Sequence, residues 1–205
     1  MIGMKRICVF CGSSPGARPE YADAARELGS LLARHNIGLV YGGGKVGLMG
    51  EVAAAALEAG GEVIGVIPEQ LVKREVGFTS LKDMRVVGSM HERKALMAEL
   101  SDGFVALPGG LGTIEEFVEA ATWAQLGLHN KPCGLLNVCG YYDGFTVFLD
   151  HATEEMFVRP ENRGMIIVEE SPERLLDRFS NYQPVITDKA KWALQLTATN
   201  RKQKK

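Results

Sequence analysis

Three glycine-rich segments hold the residues from which chemistry is most readily built. They are Cys11-Gly12-Ser13-Ser14, Gly42-Gly43-Gly44-Lys45-Val46-Gly47-Leu48-Met49-Gly50 and Pro108-Gly109-Gly110-Leu111-Gly112-Thr113. Each follows a short apolar run and opens a stretch of helical spacing. Without Cβ atoms, backbone N–H groups approach an anion unobstructed, and the start of a helix adds partial positive charge. One such loop reads as a tight turn. Three of them at one edge of a sheet point to a phosphorylated ligand. The Gly-x-x-x-x-Gly-Lys-[Ser/Thr] phosphate loop is absent. Gly42-x-Gly44-x-x-Gly47 has dinucleotide spacing, but it follows the second strand, and the acidic residue expected about 20 positions on falls at Glu62, which begins a strand. A nicotinamide-dinucleotide site is therefore not expected.

Thr113-Ile114-Glu115-Glu116 begins the helix after the third loop. Carboxylates suit a first helical turn for ordinary electrostatic reasons, which accounts for one of the two. Lying within a turn of a phosphate loop, a carboxylate here can also reach a sugar hydroxyl, or a water near an anomeric carbon. Met90, Arg93 and Met97 share one face of another helix. An arginine on a methionine face either lines a pocket or snorkels to solvent. Cys8 and Cys11 are spaced as Cys-x-x-Cys, but in a strand they face opposite ways, and Cys133 and Cys139 do not complete a zinc set. His35, His91, His129 and His151 form no ligand or triad pattern, so no metal is expected.

The elements that position these loops alternate. Apolar runs predict strands at 7–10, 37–41, 63–67, 85–87, 104–107, 134–138 and 165–168. Helical spacing predicts helices over 21–33, 52–59, 91–100, 113–126, 142–152 and 172–179. The strands are continuously apolar rather than alternating, so both faces are covered, as in a parallel sheet with helices on each side. In such a sheet ligands sit beyond the carboxyl ends of the strands, where the glycine loops fall. Residues 1–182 are read as a single domain, and 183–205 as a C-terminal extension that is partly disordered and ends in the basic run Arg201-Lys202-Gln203-Lys204-Lys205.

A chain of 205 residues can bury a sizeable core without disulfides. The net charge of −2 argues against nucleic acid as a partner. No apolar run approaches the roughly 18 residues that span a membrane, and the first residues lack a signal-peptide layout. A cytoplasmic location is expected.

Pro108-Gly109-Gly110-Leu111-Gly112-Thr113-Ile114-Glu115-Glu116 resembles the Pro-Gly-Gly-x-Gly-Thr-x-x-Glu motif of the LOG ("Lonely guy") family, the cytokinin riboside 5'-monophosphate phosphoribohydrolases, often labelled lysine decarboxylases. Val9 to Ser14, Val40 to Gly44, Gly47 to Gly50, Val63 to Pro68, Arg93-Lys94, Thr122 to Gly127, Leu135 to Val138 and Gly140-Tyr141-Tyr142 are also similar to family sequence, in order, from about residue 6 to about residue 180. Ser89 and Cys139 stand where the family often has acidic residues. The resemblance implies a Rossmann-like, doubly wound α/β fold and a homodimer. It also implies hydrolysis of the N-glycosidic bond of an adenine-type nucleoside 5'-monophosphate to free base and ribose 5-phosphate. It maps the catalytic pair to Arg93 and Glu116, and substrate contacts to Glu75, Lys94, Gly110, Leu111, Gly112, Thr113, Ile114, Glu115 and Thr122.

In the scheme that follows, Glu116 stabilises an oxocarbenium-like state or orients water. Arg93, always protonated, binds a substrate oxygen or holds Glu116 ionised. The 5'-phosphate lies on Gly109 to Thr113, with help from Gly42, Gly43 and Gly44. No cofactor is needed. Three alternatives compete: a non-catalytic nucleotide-binding module, a broad purine nucleoside-monophosphate nucleosidase, and a decarboxylase. The last requires a Schiff-base lysine, for which no lysine has a suggestive context.

Overall fold

The computed structural model describes residues 3–72 and 81–185. Glu75 and residues 186–205, most of the expected C-terminal extension, lie outside them. In chain order the elements are β1 (Arg6–Phe10), α1 (Pro19–Arg34), β2 (Gly38–Tyr41), α2 (Gly47–Glu58), β3 (Val63–Pro68), α3 (Glu69–Val72), β4 (Asp83–Val87), α4 (Met90–Leu100), β5 (Gly103–Ala106), α5 (Leu111–Gln125), β6 (Cys133–Leu136), α6 (Asp143–Glu154), α7 (Pro160–Gly164), β7 (Ile166–Glu169) and α8 (Pro172–Ser180). The strands form one seven-stranded sheet in the order β4-β3-β2-β1-β5-β6-β7, and every pairing is parallel.

The chain winds outward from β1 to β4, then α4 carries it back to β5 on the other side of β1. This is the topological switch point of a doubly wound sheet. Phe10 pairs with Ala106, so β1 and β5 end level with one another. Their loops open into the same crevice.

Continuous burial along the strands reflects two cores. Ile7, Val9, Leu39, Tyr41 and Val105 pack with α1, α2 and α8. Cys8, Phe10, Val40, Ile64 and Phe104 pack on the opposite face with Met97 of α4 and Phe117 of α5. The alternation also separates the pair spaced as Cys-x-x-Cys, with Cys8 in the second core and Cys11 in the first. Glu62 ion-pairs with Arg6 at 2.9 Å at the amino ends of the strands. It lies at the opposite end of the sheet from the place where a ribose-binding acid would stand.

The structure lengthens or adds a few elements. α2 starts at Gly47, five residues before the expected Val52, because Leu48 and Met49 are buried in its first turn. The strand expected through Val138 stops at Leu136. There Asn137 turns the chain: its Oδ1 accepts from the Tyr142 N–H at 2.7 Å, and its Nδ2 donates to Asp143 at 2.8 Å. α3 and α7, of four and five residues, are too short to show periodicity.

Candidate active site

The β1–α1 and β5–α5 loops flank an open cleft of about 350 Å³, whose lining includes Gly12, Ser13, Gly42, Arg93, Thr113 and Glu116. Gly110 to Thr113 and both glutamates of the third loop line it, apart from Ile114, whose N–H begins the helical ladder by donating to the Gly110 carbonyl at 3.1 Å. The N–H groups at the start of α5 lack intrahelical acceptors and belong to residues that line the cleft, an arrangement that suits a phosphate.

The two ends of the glycine loop are held by consecutive tyrosines. Tyr142 Oη donates to the Leu107 carbonyl at 2.7 Å, and Tyr141 Oη to the Gly109 carbonyl at 2.6 Å. They bracket Pro108 and set the direction of the chain entering α5. Gly109 itself packs so closely that an added Cβ would lie 2.1 Å from Thr113 Oγ1 and 2.8 Å from the Gly12 nitrogen. No role was legible for either tyrosine from spacing, because their partners lie more than thirty positions away.

At the floor of the cleft Arg93 Nη2 lies 3.5 Å from Glu116 Oε1, with only 9% and 11% of the two side chains exposed. Arg93 is therefore a pocket residue, not a snorkelling cation. Its other contacts are sparse: Nη1 lies 3.8 Å from Met90 Sδ, and Nε is buried without an acceptor. A guanidinium with five N–H groups and so few acceptors is prepared for a ligand oxygen. Burial pushes the Glu116 carboxyl above the ordinary range, and Arg93 only partly reverses that.

α4 is aimed by its amino end. Ser89, one of the departures from the family pattern, accepts from the Glu92 N–H at 3.1 Å, while Glu92 accepts from the Gly88 N–H at 2.8 Å. This reciprocal cap holds the helix start one turn before Arg93.

Other expected contacts fall elsewhere. Gly42, Gly43 and Gly44 are all buried, and of the three Gly42 alone lines the cleft. Gly43 packs against Met84 and Ile67. Lys94 ion-pairs with Glu115 at 2.7 Å and Glu119 at 3.0 Å. Thr122 lines a separate apolar hollow of about 160 Å³ between α5 and α6, with Val118, Phe145 and Leu149. Burial pushes the Cys11 thiol at the cleft wall far up, leaving it un-ionised. Among the described residues, no group of three or more His, Cys, Asp or Glu could hold a metal ion.

Fold and site together define an open parallel α/β protein with a glycine-lined cleft at its switch point and a buried arginine–glutamate pair in its lining. A family profile described as "Possible lysine decarboxylase" matches residues 49–179. The chain is 50% identical over 194 residues to the probable cytokinin riboside 5'-monophosphate phosphoribohydrolase LOGL2 of Oryza sativa subsp. japonica, covering 93% of this chain and 80% of that one. It is 49% identical to LOG1 of Arabidopsis thaliana, a cytokinin riboside 5'-monophosphate phosphoribohydrolase, covering 93% and 91%. Among solved structures it is similar to the molybdenum cofactor carrier protein of Chlamydomonas reinhardtii, with a TM-score of 0.65 and 25% identity over 88% of this chain and 100% of that one. The chain belongs to the LOG family of cytokinin riboside 5'-monophosphate phosphoribohydrolases.

Proposed function

We propose that the protein hydrolyses the N-glycosidic bond of cytokinin riboside 5'-monophosphates, and of AMP, releasing the free base and ribose 5-phosphate. The observation that carries this reading is the Arg93–Glu116 pair, 3.5 Å apart and buried below the amino end of α5. A phosphate held by the N–H groups of Gly110 to Thr113 leaves the sugar to extend toward Glu116. Cleavage of the C1'–N9 bond sends its electron pair to the base and leaves positive charge on the ribose. Ionised Glu116 stabilises that charge. Water then adds to C1' and loses a proton, and the base gains one. Arg93 has spare N–H groups to hold a substrate oxygen in place.

The decarboxylase description does not suit this cleft. A Schiff base forms from a neutral amine, whereas Lys94 is held as an ammonium by two carboxylates, which raise its pKa. Product chromatography with AMP and isopentenyladenosine monophosphate, each beside its unphosphorylated nucleoside, tests the proposal. Base release from the monophosphates, with kcat/KM higher by about 10²-fold or more than for the nucleosides, is expected from two charge-assisted bonds to phosphate. Tight binding without base release would establish a non-catalytic module instead.

We also infer a homodimer. Val118, Leu126, Leu128, Val147, Phe148 and Phe157 are exposed apolar side chains on α5, α6 and the segments that follow them, more than scattered surface residues would supply. Among the described residues no helix is long and apolar enough to cross a membrane. The four cysteines are free, which supports a cytoplasmic location, and the net charge of −2 supports a small-molecule partner over nucleic acid.

A further inference from the structure

Arg93 and Lys94 are adjacent on α4, yet both reach α5. Arg93 meets Glu116, while the Lys94 ammonium sits between Glu115 at 2.7 Å and Glu119 at 3.0 Å. The Lys94 side chain is only 12% exposed. Lys94, Glu116 and Glu119 line the same narrow crevice between the helices, walled by Phe10, Phe104 and Trp123. The crevice has a volume of about 10 Å³, too small for a substrate group. Three carboxylates thus fall within little more than one turn of α5, and one ammonium takes up two of them.

We propose that Lys94 is a positioning residue that acts through Glu116: it neutralises Glu115 and Glu119, leaving Glu116 as the carboxylate free to carry charge at the cleft floor. This rests on the reading of Glu116 as the group that faces the sugar. The charged and titratable groups around Glu116 are Arg93 and Lys94 from α4, Glu115 and Glu119 from α5, and the buried thiols of Cys8 and Cys11 from β1. Lys94 favours ionisation of Glu116, and Glu115 and Glu119 oppose it. Removing the lysine leaves two uncompensated anions beside the one that must ionise, whereas removing Glu119 takes one of them away.

The test is the pH dependence of kcat/KM for AMP hydrolysis, with carboxyl ¹³C NMR titration of Glu116 as a readout that needs no turnover. Lys94→Met is expected to move the acid limb, and the Glu116 titration, to higher pH by about half a unit. Lys94→Arg restores it, and Glu119→Gln moves it lower while Lys94 remains in place. The dissociation constant for ribose 5-phosphate is expected to stay within about twofold throughout, because Lys94 lines the narrow crevice and not the cleft. Glu119→Gln keeps the helix pair bridged through Glu115, so it reports even where Lys94→Met folds poorly. An unmoved titration in both Lys94→Met and Glu119→Gln overturns the proposal. So does a tenfold loss of ribose 5-phosphate binding in Lys94→Met, which would make the lysine a direct contact. Absence of base release by the wild-type protein would count against the hydrolase reading, while the NMR titration would still decide the role of Lys94.

Discussion

The guanidinium of Arg93 occupies the space that a side chain on Gly42 would fill: a Cβ built there would lie 2.1 Å from Nη2 and 3.3 Å from Met49 Sδ. Gly42 follows the last residue of β2, and Arg93 arrives from α4 on the far side of a crossover. The glycine keeps the cleft floor open for the arginine. Gly42→Ala is expected to push the guanidinium away from Glu116 and to lower kcat by about 10²-fold, the usual cost of displacing a positioned group by an ångström. A melting temperature near that of wild type with this loss would separate positioning from folding. Unchanged kcat would show that Arg93 has room to move.

Glu116 links activity to stability through pH. A carboxyl whose value is raised on folding favours the folded state at low pH, and that contribution is lost as pH rises through the raised value. At neutral pH the ionised Glu116 therefore works against folding. Glu116→Gln mimics the neutral form and still offers Arg93 an acceptor. It is expected to abolish base release while melting at or above the wild-type temperature at neutral pH. The difference should vanish below the ordinary carboxylate range, where both side chains are uncharged. Calorimetry across pH checks this, and a variant less stable at neutral pH than in acid, relative to wild type, contradicts it.

Arg93→Lys keeps the charge but loses the planar fork. A lysine ammonium offers fewer fixed donors to the substrate oxygen, and kcat is expected to fall by about 10²-fold or more, as when a preorganised donor is removed. Steady-state kinetics distinguish the roles: a loss confined to KM would assign Arg93 to ground-state binding.

Tyr141→Phe removes the bond to the Gly109 carbonyl and frees the entry to α5. An exposed hydrogen bond of this kind contributes about 1 kcal/mol. KM for the monophosphate is expected to rise about fivefold with little change in kcat, since in the proposed scheme the loop holds phosphate and not the reacting carbon. An equal effect on the unphosphorylated nucleoside would place Tyr141 outside the phosphate cradle.

Phe148→Asp places a charge on the exposed apolar side of α6. Light scattering is expected to give a dimer mass for wild type and a monomer mass for the variant. A variant that remains dimeric would move the contact away from α6.

The amino-acid sequence by itself determined the order of the strands and main helices, the parallel sheet and the glycine-rich loops, though not every element boundary. Those features are local: continuous apolar runs need two covered faces, and glycine clusters mark where backbone must turn or approach closely. The Pro108 to Glu116 motif also located half of the proposed catalytic pair, because a carboxylate one turn from a glycine-rich loop is a relation within one helix. The residues that line the cleft with it were another matter. Arg93 could as well have faced solvent, since a three- and four-residue spacing gives a face but not what the face meets. Only the strand order, with β5 returned beside β1, lays α4 against α5 and brings residues 23 positions apart within 3.5 Å. The same crossing turned Lys94 onto Glu115 and Glu119, gave Gly42 to Arg93, and sent Thr122, on the far half of α5, to a different hollow. Periodicity is set by neighbours along the chain, whereas charge pairing and burial at the site are set by neighbours across it.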